Sequence, residues 1–377
     1  MGGLQARIAE RARRSGSLRF DAFVDAALYD VDHGFYARGG PGRHRDFITS
    51  PEVGPRFGAV MARALDSWWA DLGCPDPFVV VEAGAGPGTL AVSVLAASPA
   101  CAPALRYVLV ERSASLRARH ADHLPVEPAG WVLGPLTGDE EDPQREQGRG
   151  PLVASLAELP AARFVGVVLA NELLDNLPFR LLERSERGWC EVRVGLDDDS
   201  TGLVEVPVDA PEDDAVLATR LAPAAPVGGR IPIQADGARW LADAVGLLDR
   251  GRVVAFDYAT TTPELAMRPW REWVRTFRAH DRGGHPLDDP GAQDVTCEVA
   301  VDQLTRVRTP VAQRSQAEFL SAFGVEELVE EGRRIWAERA NVGDLDAIKA
   351  RSRVTEAEAL TDPAGLGAFR VLEWRIP

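Results

Sequence analysis

Cysteine and long apolar runs are scarce in this chain of 377 residues. The four cysteines are far apart and form no Cys-x-x-Cys pair, which argues against a zinc site or a disulfide framework and favours a reducing compartment. No apolar run is long enough to span a bilayer. The first residues lack the apolar core of a secretory signal; they resemble a mitochondrial presequence in their basic amphipathic pattern, but Glu10 favours a plain first helix. We therefore expect a cytoplasmic protein that acts outside membranes.

Lysine is also scarce, and acidic residues outnumber basic ones by 57 to 42. The formal net charge is −15, and lysine occurs once, at Lys349. This balance argues against general affinity for nucleic acid or an anionic membrane. An acidic surface suits a basic protein substrate, although such a surface also serves solubility alone. Arginine in place of lysine is typical of the codon bias of a GC-rich genome, and we expect a bacterial source.

Metal-ligand spacing is missing too. The histidines His33, His44, His280 and His285 stand too far from suitable partners to form a ligand set, so we expect no metal. The chain also has no G-x-S-x-G nucleophile motif and no kinase motif set.

The chain does contain a strand, a glycine turn and a helix start between Phe78 and Leu90, read as F-V-V-V-E-A-G-A-G-P-G-T-L. The apolar run is typical of a strand buried in a parallel sheet, and Glu82 lies at its carboxyl end. Three glycines follow at alternate positions, namely Gly84, Gly86 and Gly88. This arrangement predicts the nucleotide-binding corner of a doubly wound α/β sheet.

The glycine spacing narrows the choice of ligand. A dinucleotide site requires G-x-G-x-x-G, whereas the third glycine here comes one residue early. E-x-G-x-G-x-G resembles the first motif of Rossmann-like S-adenosylmethionine (SAM) methyltransferases, so the turn favours SAM over NAD. A purely structural glycine turn remains the alternative.

A second acid ends the next predicted strand. Tyr107 to Val110 forms this strand, and Glu111 follows it. An acid at this position accepts hydrogen bonds from both ribose hydroxyls of a nucleoside. The structural alternative is a surface charge at the start of the next helix.

The segment A-N-E-L-L-D-N-L-P follows a predicted strand from Phe164 to Leu169, at the sheet edge where ligands bind. One short helical turn would place Glu172 and Asp175 on the same side. Two carboxylates so placed can grip a guanidinium and orient its nitrogen for in-line methyl transfer. We predict Asn171, Glu172 and Asp175 as the acceptor site, with an Asx-type turn and helix cap as the alternative. A glycosidase carboxylate pair conflicts with the glycine corner.

Helical periodicity and strand patterns predict the remaining organisation. An N-terminal helical extension (1–75) precedes a Rossmann-like core (76–377) with insertions at about 179–235 and 259–345. The first insertion reads as a small antiparallel α+β subdomain. We also predict a weak third strand near Trp131 to Leu133, a second long loop from Trp270 to Thr296, and a terminal strand.

Several blocks together resemble the MidA-like family, which includes the mitochondrial complex I assembly factor described as a protein-arginine methyltransferase. The matching segments are A-L-Y-D-V-D-H-G-F-Y, R-D-F-I-T-S-P-E-V-G-P-R-F-G, V-E-A-G-A-G-P-G-T-L, L-V-E-R-S-A-S-L-R, A-N-E-L-L-D-N-L-P-F, F-D-Y and P-G-A-Q-D-V-T. They occur in the family's order over most of the chain. D-F-I-T-S-P-E with A-N-E-L-L-D is much more specific than the glycine turn.

The resemblance implies a class I SAM methyltransferase fold and a protein arginine as methyl acceptor. It implies that the three glycines line SAM, that Glu111 holds its ribose, and that the Asp46 to Glu52 loop closes over the cofactor. The predicted cofactor-binding residues are thus Glu82, Gly84, Gly86, Gly88, Glu111, Asp46, Thr49, Ser50 and Glu52. N-capping by Ser50, with Pro51 in the first turn, is the structural alternative for the loop.

The resemblance leaves some alternatives open. Where relatives often read D-I-T-A-H-V, this chain has D-V-T-C-E-V from Asp294 to Val299, so any role of that histidine is absent. The acceptor is a protein, which in the mitochondrial relatives is a respiratory-complex subunit, or a small molecule. A SAM-binding assembly factor without turnover and a homodimeric state also remain open.

Overall fold

The computed structural model describes residues 3–38, 49–134, 149–197, 199, 202–278, 281–340 and 345–377. The chain forms two compact units. The small-sheet unit comprises Met1–Phe47, Leu173–Asp243 and Asp257–Thr309. The large-sheet unit comprises Ile48–Glu172, Ala244–Phe256 and Pro310–Pro377.

Helices form mostly where the sequence shows a 3.6-residue apolar period or a capping signal. In chain order they are α1 (Gly3–Ser15), α2 (Phe20–Tyr29), α3 (Ser50–Val53), α4 (Pro55–Asp71), α5 (Thr89–Ala96), α6 (Ala114–Arg117), α7 (His120–His123), α8 (Ala129–Leu133), α9 (Glu212–Leu221), α10 (Ala235–Gly246), α11 (Thr262–Ala266), α12 (Val301–Thr305), α13 (Gln316–Ala322), α14 (Val325–Arg339) and α15 (Leu345–Thr361).

Strands coincide with short runs of apolar and β-branched residues. In chain order they are β1 (Leu18–Arg19), β2 (Phe78–Ala83), β3 (Leu105–Val110), β4 (Leu152–Leu156), β5 (Phe164–Asn171), β6 (Arg180–Ser185), β7 (Gly188–Leu196), β8 (Leu203–Asp209), β9 (Arg230–Ile233), β10 (Leu248–Asp257), β11 (Ala259–Thr260), β12 (Val274–Arg278), β13 (Asp281–Arg282), β14 (Asp294–Cys297), β15 (Val299–Ala300), β16 (Ala312–Ser315) and β17 (Arg370–Ile376).

The large-sheet unit is built on one sheet with the strand order β16-β17-β10-β5-β2-β3-β4. Strands β4, β3, β2, β5 and β10 pair in parallel, whereas β16 and β17 pair antiparallel. Every residue of β2 and β3 is buried, as expected for strands covered on both faces. The chain winds from β2 to β3 on one side and returns to β5 on the other, so the strand order reverses at β2. This topology confirms the predicted Rossmann-like sheet and the terminal strand.

Aromatic side chains pack helices onto this sheet. Phe256 of β10 makes edge contacts with Phe57 of α4 and Phe319 of α13, with ring centroids 5.4 and 4.9 Å apart. All three side chains are buried, and burial of such a side chain stabilises a fold by about 1.5–3 kcal/mol. These contacts therefore pack α4 and α13 against β10 of this sheet.

The small-sheet unit contains an antiparallel sheet with the order β1-β7-β6-β9, in which β8 also pairs with β7. Helices α1 and α2 contribute Ile8, Phe20 and Phe23 to its core, where they join Phe179 and Trp273. Phe20 and Phe179 lie 5.4 Å apart between ring centroids. The predicted antiparallel α+β insertion and the predicted first two helices are confirmed.

Two sequence predictions about local structure were wrong. The expected third strand near Trp131 is the helix α8, and the strand beside β3 is instead β4. Trp131 is exposed, so its segment does not supply the buried apolar run that a parallel strand requires. The expected long loop from Trp270 to Thr296 contains β12, β13 and β14, whose antiparallel pairing follows from the period-two burial in V-R-T-F-R.

Two of the longer helices were not expected from the sequence. The helix α9 begins with an acidic run, and α15 shows no clear apolar stripe, so periodicity did not reveal either of them. The proposed boundary between an N-terminal extension (1–75) and a core (76–377) stays a prediction. Within the described residues, no helix is long and apolar enough to cross a membrane.

Close backbone contact at Gly166 of β5 gives the first testable prediction. A Cβ at this position would lie 1.8 Å from the carbonyl oxygen of Val79 in β2. Gly166→Ala should therefore separate the two strands and cost at least about 4 kcal/mol of unfolding free energy. Urea denaturation followed by circular dichroism measures the loss.

Gly246→Ala provides the matched control, because a Cβ at the end of α10 meets no atom within 4 Å. This variant should keep the wild-type denaturation midpoint or raise it slightly. An equal midpoint for Gly166→Ala and wild type would contradict the described pairing of β2 with β5.

Candidate functional site

The glycine turn after β2 is the first part of the site. Gly84, Gly86 and Gly88 all adopt positive φ, at 69°, 54° and 87°. L side chains rarely tolerate this conformation, which explains glycine at each position. Gly84 N–H donates to the carbonyl oxygen of Val110 at 2.9 Å. A Cβ at Gly86 would meet no described atom within 4 Å, so the described residues leave open space beside the turn.

Glu111 follows β3 and contacts this turn. Its carboxylate accepts hydrogen bonds from Gly86 N–H at 2.9 Å and from Ser113 N–H at 2.7 Å. Burial raises the pKa of Glu111, while these two amides and the nearby Arg117 oppose the rise. The predicted pairing of glycine turn and acid is therefore present in space. A carboxylate held in this way still has lone pairs for ribose hydroxyls.

Glu82 lies deeper in the sheet. It is 4% exposed, and its Oε2 accepts a hydrogen bond from Tyr107 Oη at 2.6 Å. Burial raises the pKa of Glu82 to about 7, although the Tyr107 hydroxyl opposes the shift. The carboxyl group thus has a partner inside the sheet, and its contact with a cofactor stays a prediction.

Glu172, directly after β5, has an unusual backbone. Its φ is 53°, a conformation that costs free energy for a residue with a side chain. Its N–H donates to Phe256 O at 2.8 Å, which continues the pairing with β10. Strain of this kind persists only where surrounding contacts determine it, and it concentrates at functional sites.

The carboxylate of Glu172 is held on one side only. Oε1 accepts hydrogen bonds from Ser50 N–H and Asn171 Nδ2, both at 3.1 Å. Oε2 of Glu172 and Oδ1 of Asn171 are enclosed and have no hydrogen-bond partner among the described residues. Burial raises the pKa of Glu172 to about 7 against the effect of the two donors, and Glu52 adds to the rise. Two acceptor atoms, one on each side chain, therefore lack a donor within the described part of the chain.

The end of the predicted covering loop anchors this carboxylate. Thr49 is the N-cap of α3 and forms a capping box with Glu52, so the alternative in which Ser50 is the cap was wrong. Ser50 instead lies fully buried, and its Oγ donates to Gln316 Oε1 at 3.0 Å. Asp46 lies outside the described residues. Cofactor contacts of Thr49, Ser50 and Glu52 stay predictions.

Asp175 belongs to the small-sheet unit, and the expected helical turn from Glu172 to Asp175 is not formed. A 3₁₀ turn covers only Leu174–Asn176. Asp257 organises it, because its Oδ2 accepts hydrogen bonds from Leu174 N–H at 2.9 Å and Asp175 N–H at 3.2 Å. These two hydrogen bonds to Asp257 thus stabilise a 3₁₀ turn in place of the helical turn that the sequence predicted. The catalytic role of Asp175 stays a prediction.

Sequence reasoning missed Asn176, on which several of the family segments converge. Its Oδ1 accepts a hydrogen bond from Tyr36 Oη at 2.9 Å, and its backbone oxygen accepts one from Tyr29 Oη at 3.2 Å. Its Nδ2 donates to Asp294 Oδ1 at 3.1 Å. Tyr29, Tyr36 and Asp294 all lie in segments that carry the resemblance, which was the available signal. These segments therefore include scaffold residues as well as candidate site residues.

Metal ligands were also sought among the described residues. No group of three or more His, Cys, Asp or Glu side chains there is arranged to hold a metal ion. His44 and His280 lie outside the described residues. A different histidine, His120, was missed: it contacts Gly86 and Ser155.

The strand order, the glycine turn and the acid after β3 together define a Rossmann-like protein with a nucleoside-binding edge. The sequence also matches, over residues 60–340, the family described as "Putative S-adenosyl-L-methionine-dependent methyltransferase". This span exceeds half of the chain, and the chain belongs to this family. The predicted MidA-like membership, the class I methyltransferase fold and SAM as the cofactor are confirmed.

Two curated relatives and one solved structure illustrate the similarity. The chain is 27% identical over 323 residues to the Drosophila melanogaster "Protein arginine methyltransferase NDUFAF7 homolog, mitochondrial", covering 79% of this chain and 68% of the relative. It is 26% identical over 342 residues to the Bos taurus "Protein arginine methyltransferase NDUFAF7, mitochondrial", covering 84% and 72%. A crystal structure of a superfamily member from Burkholderia thailandensis, bound to S-adenosyl-homocysteine, has 26% identity and a TM-score of 0.79, covering 99% of this chain and 92% of that one.

The buried carboxyl group of Glu172 predicts a pH-dependent stability. Its pKa is about 7 in the fold, against an ordinary value of 4.5. The stability it contributes is thus fully present below pH 4.5 and is lost as the pH rises through 7. Between pH 5 and 8, Glu172→Gln should gain about 2 kcal/mol of unfolding free energy relative to wild type. Urea denaturation of both proteins at pH 5 and at pH 8 measures this change in the difference between their unfolding free energies.

Glu158→Gln is the control, because it removes an exposed carboxylate from the same unit. Its unfolding free energy is measured at the same two pH values and shows what removal of a surface carboxylate does by itself. A Glu172→Gln difference that is independent of pH would mean that this carboxyl group is not enclosed in solution.

The open space beside Gly86 predicts how the cofactor can be blocked. Gly86→Val places a branched side chain there and should weaken binding of SAM and of S-adenosylhomocysteine at least 100-fold. Calorimetric titration measures both affinities, with NAD as a ligand that wild type should not bind.

Gly73→Val is the matched control, because Gly73 also has positive φ, at 83°, and open space around its Cβ position. Both variants carry the same backbone strain, so both should lose stability, yet only Gly86→Val should lose the ligands. Undiminished SAM binding by Gly86→Val would place the cofactor elsewhere.

Proposed function

We propose that this methyltransferase transfers the methyl group of SAM to an arginine side chain of a protein. The observation that supports this acceptor is the carboxylate of Glu172. It lies at the carboxyl edge of the parallel sheet, where ligands of such folds bind. Its Oε2 is enclosed and lacks a hydrogen-bond partner in the described structure.

A cationic acceptor suits this carboxylate electrostatically. Enclosure without a cation raises the pKa of Glu172 to about 7, so ionisation is costly in the ligand-free protein. An opposite charge within a few ångströms favours the ionised form and lowers the pKa again. A guanidinium supplies both this charge and N–H donors for Oε2. A neutral small molecule supplies only hydrogen bonds.

The surrounding contacts orient the carboxylate. Ser50 N–H and Asn171 Nδ2 hold Oε1, so rotation of the carboxyl group is restricted and Oε2 keeps one direction. An acceptor nitrogen bound at Oε2 is then positioned before the reaction, which is most of what an in-line displacement requires. The side chain of Asn171 also leaves its Oδ1 as a second acceptor.

When bound, SAM supplies a methyl group activated on a sulfonium. The attacking guanidinium nitrogen forms the new N–C bond as the S–C bond breaks, which leaves S-adenosylhomocysteine and a methylated guanidinium that loses one proton. Since arginine has a pKa above about 12, that proton departs late, and Glu172 eases its departure as a hydrogen-bond acceptor. Glu111 and the glycine turn would hold the ribose and the adjoining part of SAM.

Charge and similarity support a protein substrate. The net charge of −15 favours encounter with a basic partner. Both curated relatives described above are named as protein arginine methyltransferases. We extend only this class of acceptor to this chain. The subcellular location of the relatives and the identity of their target are not extended. The compartment we propose is the cytoplasm, since the cysteines Cys74, Cys101, Cys190 and Cys297 are unpaired. A homodimer stays a prediction.

The test compares Glu172→Gln with Glu158→Gln. Purified protein is incubated with methyl-labelled SAM and two basic peptides that differ only in carrying arginine or lysine. Wild type and Glu158→Gln should methylate the arginine peptide, and mass spectrometry should place the methyl group on the guanidinium. Glu172→Gln should keep its affinity for S-adenosylhomocysteine within about threefold and lose at least 100-fold in turnover.

Two results would count against the proposal. Methylation of lysine, or of a small molecule only, would refute the arginine acceptor while leaving the SAM-dependent class intact. Full turnover by Glu172→Gln would remove Glu172 from the acceptor site.

A further inference from the structure

His120 connects the glycine turn with the edge strand of the large sheet. It begins α7 and is 1% exposed. Its Nε2 lies 2.8 Å from the carbonyl oxygen of Gly86, and its Nδ1 lies 2.8 Å from Ser155 Oγ in β4. A buried imidazole with a partner at each nitrogen is a fully satisfied polar group.

The two partners determine which ring nitrogen carries the proton. A carbonyl oxygen can only accept a hydrogen bond, so Nε2 must be the donor to Gly86. In the neutral ring Nδ1 is then an acceptor, and the Ser155 hydroxyl donates to it. Burial lowers the pKa of His120, which favours this neutral form. The tautomer thus follows from chemistry and does not depend on hydrogen placement.

Through Gly86, His120 also acts on the acid that follows β3. Gly86 accepts from His120 with its carbonyl oxygen, while its N–H donates to Glu111 Oε2 at 2.9 Å. Gly86 is therefore held on both sides in its left-handed conformation. The His120 ring also packs under the third glycine, because a Cβ at Gly88 would lie 3.4 Å from His120 Cδ2.

We propose that His120 is a positioning residue for the cofactor: its Nε2–H fixes the Gly86 carbonyl, and thereby the Gly86 amide and the Glu111 carboxylate, in the geometry that binds SAM. This inference rests on SAM binding by the glycine turn and is independent of the methyl acceptor. Glycine offers many backbone conformations, so a turn with three glycines needs such an external constraint. A rigid ring with one donor and one acceptor supplies it between β4 and the turn.

Replacements of His120 test the hydrogen bond separately from packing. His120→Leu keeps apolar volume and removes the donor, whereas His120→Gln keeps an amide donor at the end of the side chain. His123→Leu changes an exposed histidine on the same helix and serves as the control. Binding of S-adenosylhomocysteine is measured by calorimetry at a temperature where circular dichroism shows each variant folded.

The expected result is a loss of at least tenfold in affinity for His120→Leu, and a change of less than threefold for His120→Gln and His123→Leu. Wild-type affinity in His120→Leu would overturn the proposal. An equal loss in His120→Leu and His120→Gln would also overturn it, since the ring and not its donor would then matter. Failure of wild type itself to bind S-adenosylhomocysteine would instead refute cofactor binding at the turn.

A measurement on the unaltered protein covers the case in which His120→Leu does not fold. Nitrogen-15 spectra of histidine-labelled protein should show one buried imidazole protonated at Nε2 only, assigned by its loss in His120→Gln. Saturation with S-adenosylhomocysteine should shift this Nε2–H signal, because the ligand contacts the peptide group to which it donates. An Nδ1–H tautomer, or a signal that the ligand leaves unchanged, would overturn the assignment.

Discussion

Three parallel strands of the large sheet each place a glutamate carboxylate at or just beyond their carboxyl ends, where its hydrogen-bond donors among the described residues are uncharged. Glu82, Glu111 and Glu172 accept hydrogen bonds from a phenol, backbone amides and a carboxamide, all of which are neutral donors. Burial raises the pKa of each carboxyl group. Removing a carboxylate from water in this way is costly, and the free energy is recovered most fully when a ligand brings positive charge.

Rigidity at this edge comes from residues that do not themselves react. His120 holds the carbonyl oxygen of Gly86, and Ser50 fixes one oxygen of Glu172 while its own hydroxyl is bound by Gln316. Glu172 adopts positive φ although it is not a glycine, and its amide still pairs with β10. A strained backbone conformation of this kind persists because several surrounding contacts together stabilise it.

In the small-sheet unit, segments that resemble the family serve as structure. Asn176 contacts Tyr29, Tyr36 and Asp294, and the carboxylate of Asp257 fixes the turn that begins at Leu174. A polar residue within such a segment can therefore reflect a buried hydrogen-bond network as well as chemistry. Thr49 and Glu52 in the large-sheet unit are a second example, because their capping box accounts for both residues without a ligand.

The sequence by itself determined the Rossmann-like corner, the pairing of a glycine turn with Glu111, the small antiparallel insertion and the SAM-dependent class, because these depend on local periodicity and on spacing within a few residues. Tertiary structure decided the rest. It replaced the expected strand at Trp131 with β4, limited the expected helical turn to Leu174–Asn176, and gave Ser50 and His120 their hydrogen-bond partners. Each of these outcomes depends on partners far away in the chain, such as Asp257 for the turn and Ser155 for His120. Local sequence carries no information about which distant donor or acceptor will satisfy a buried polar group.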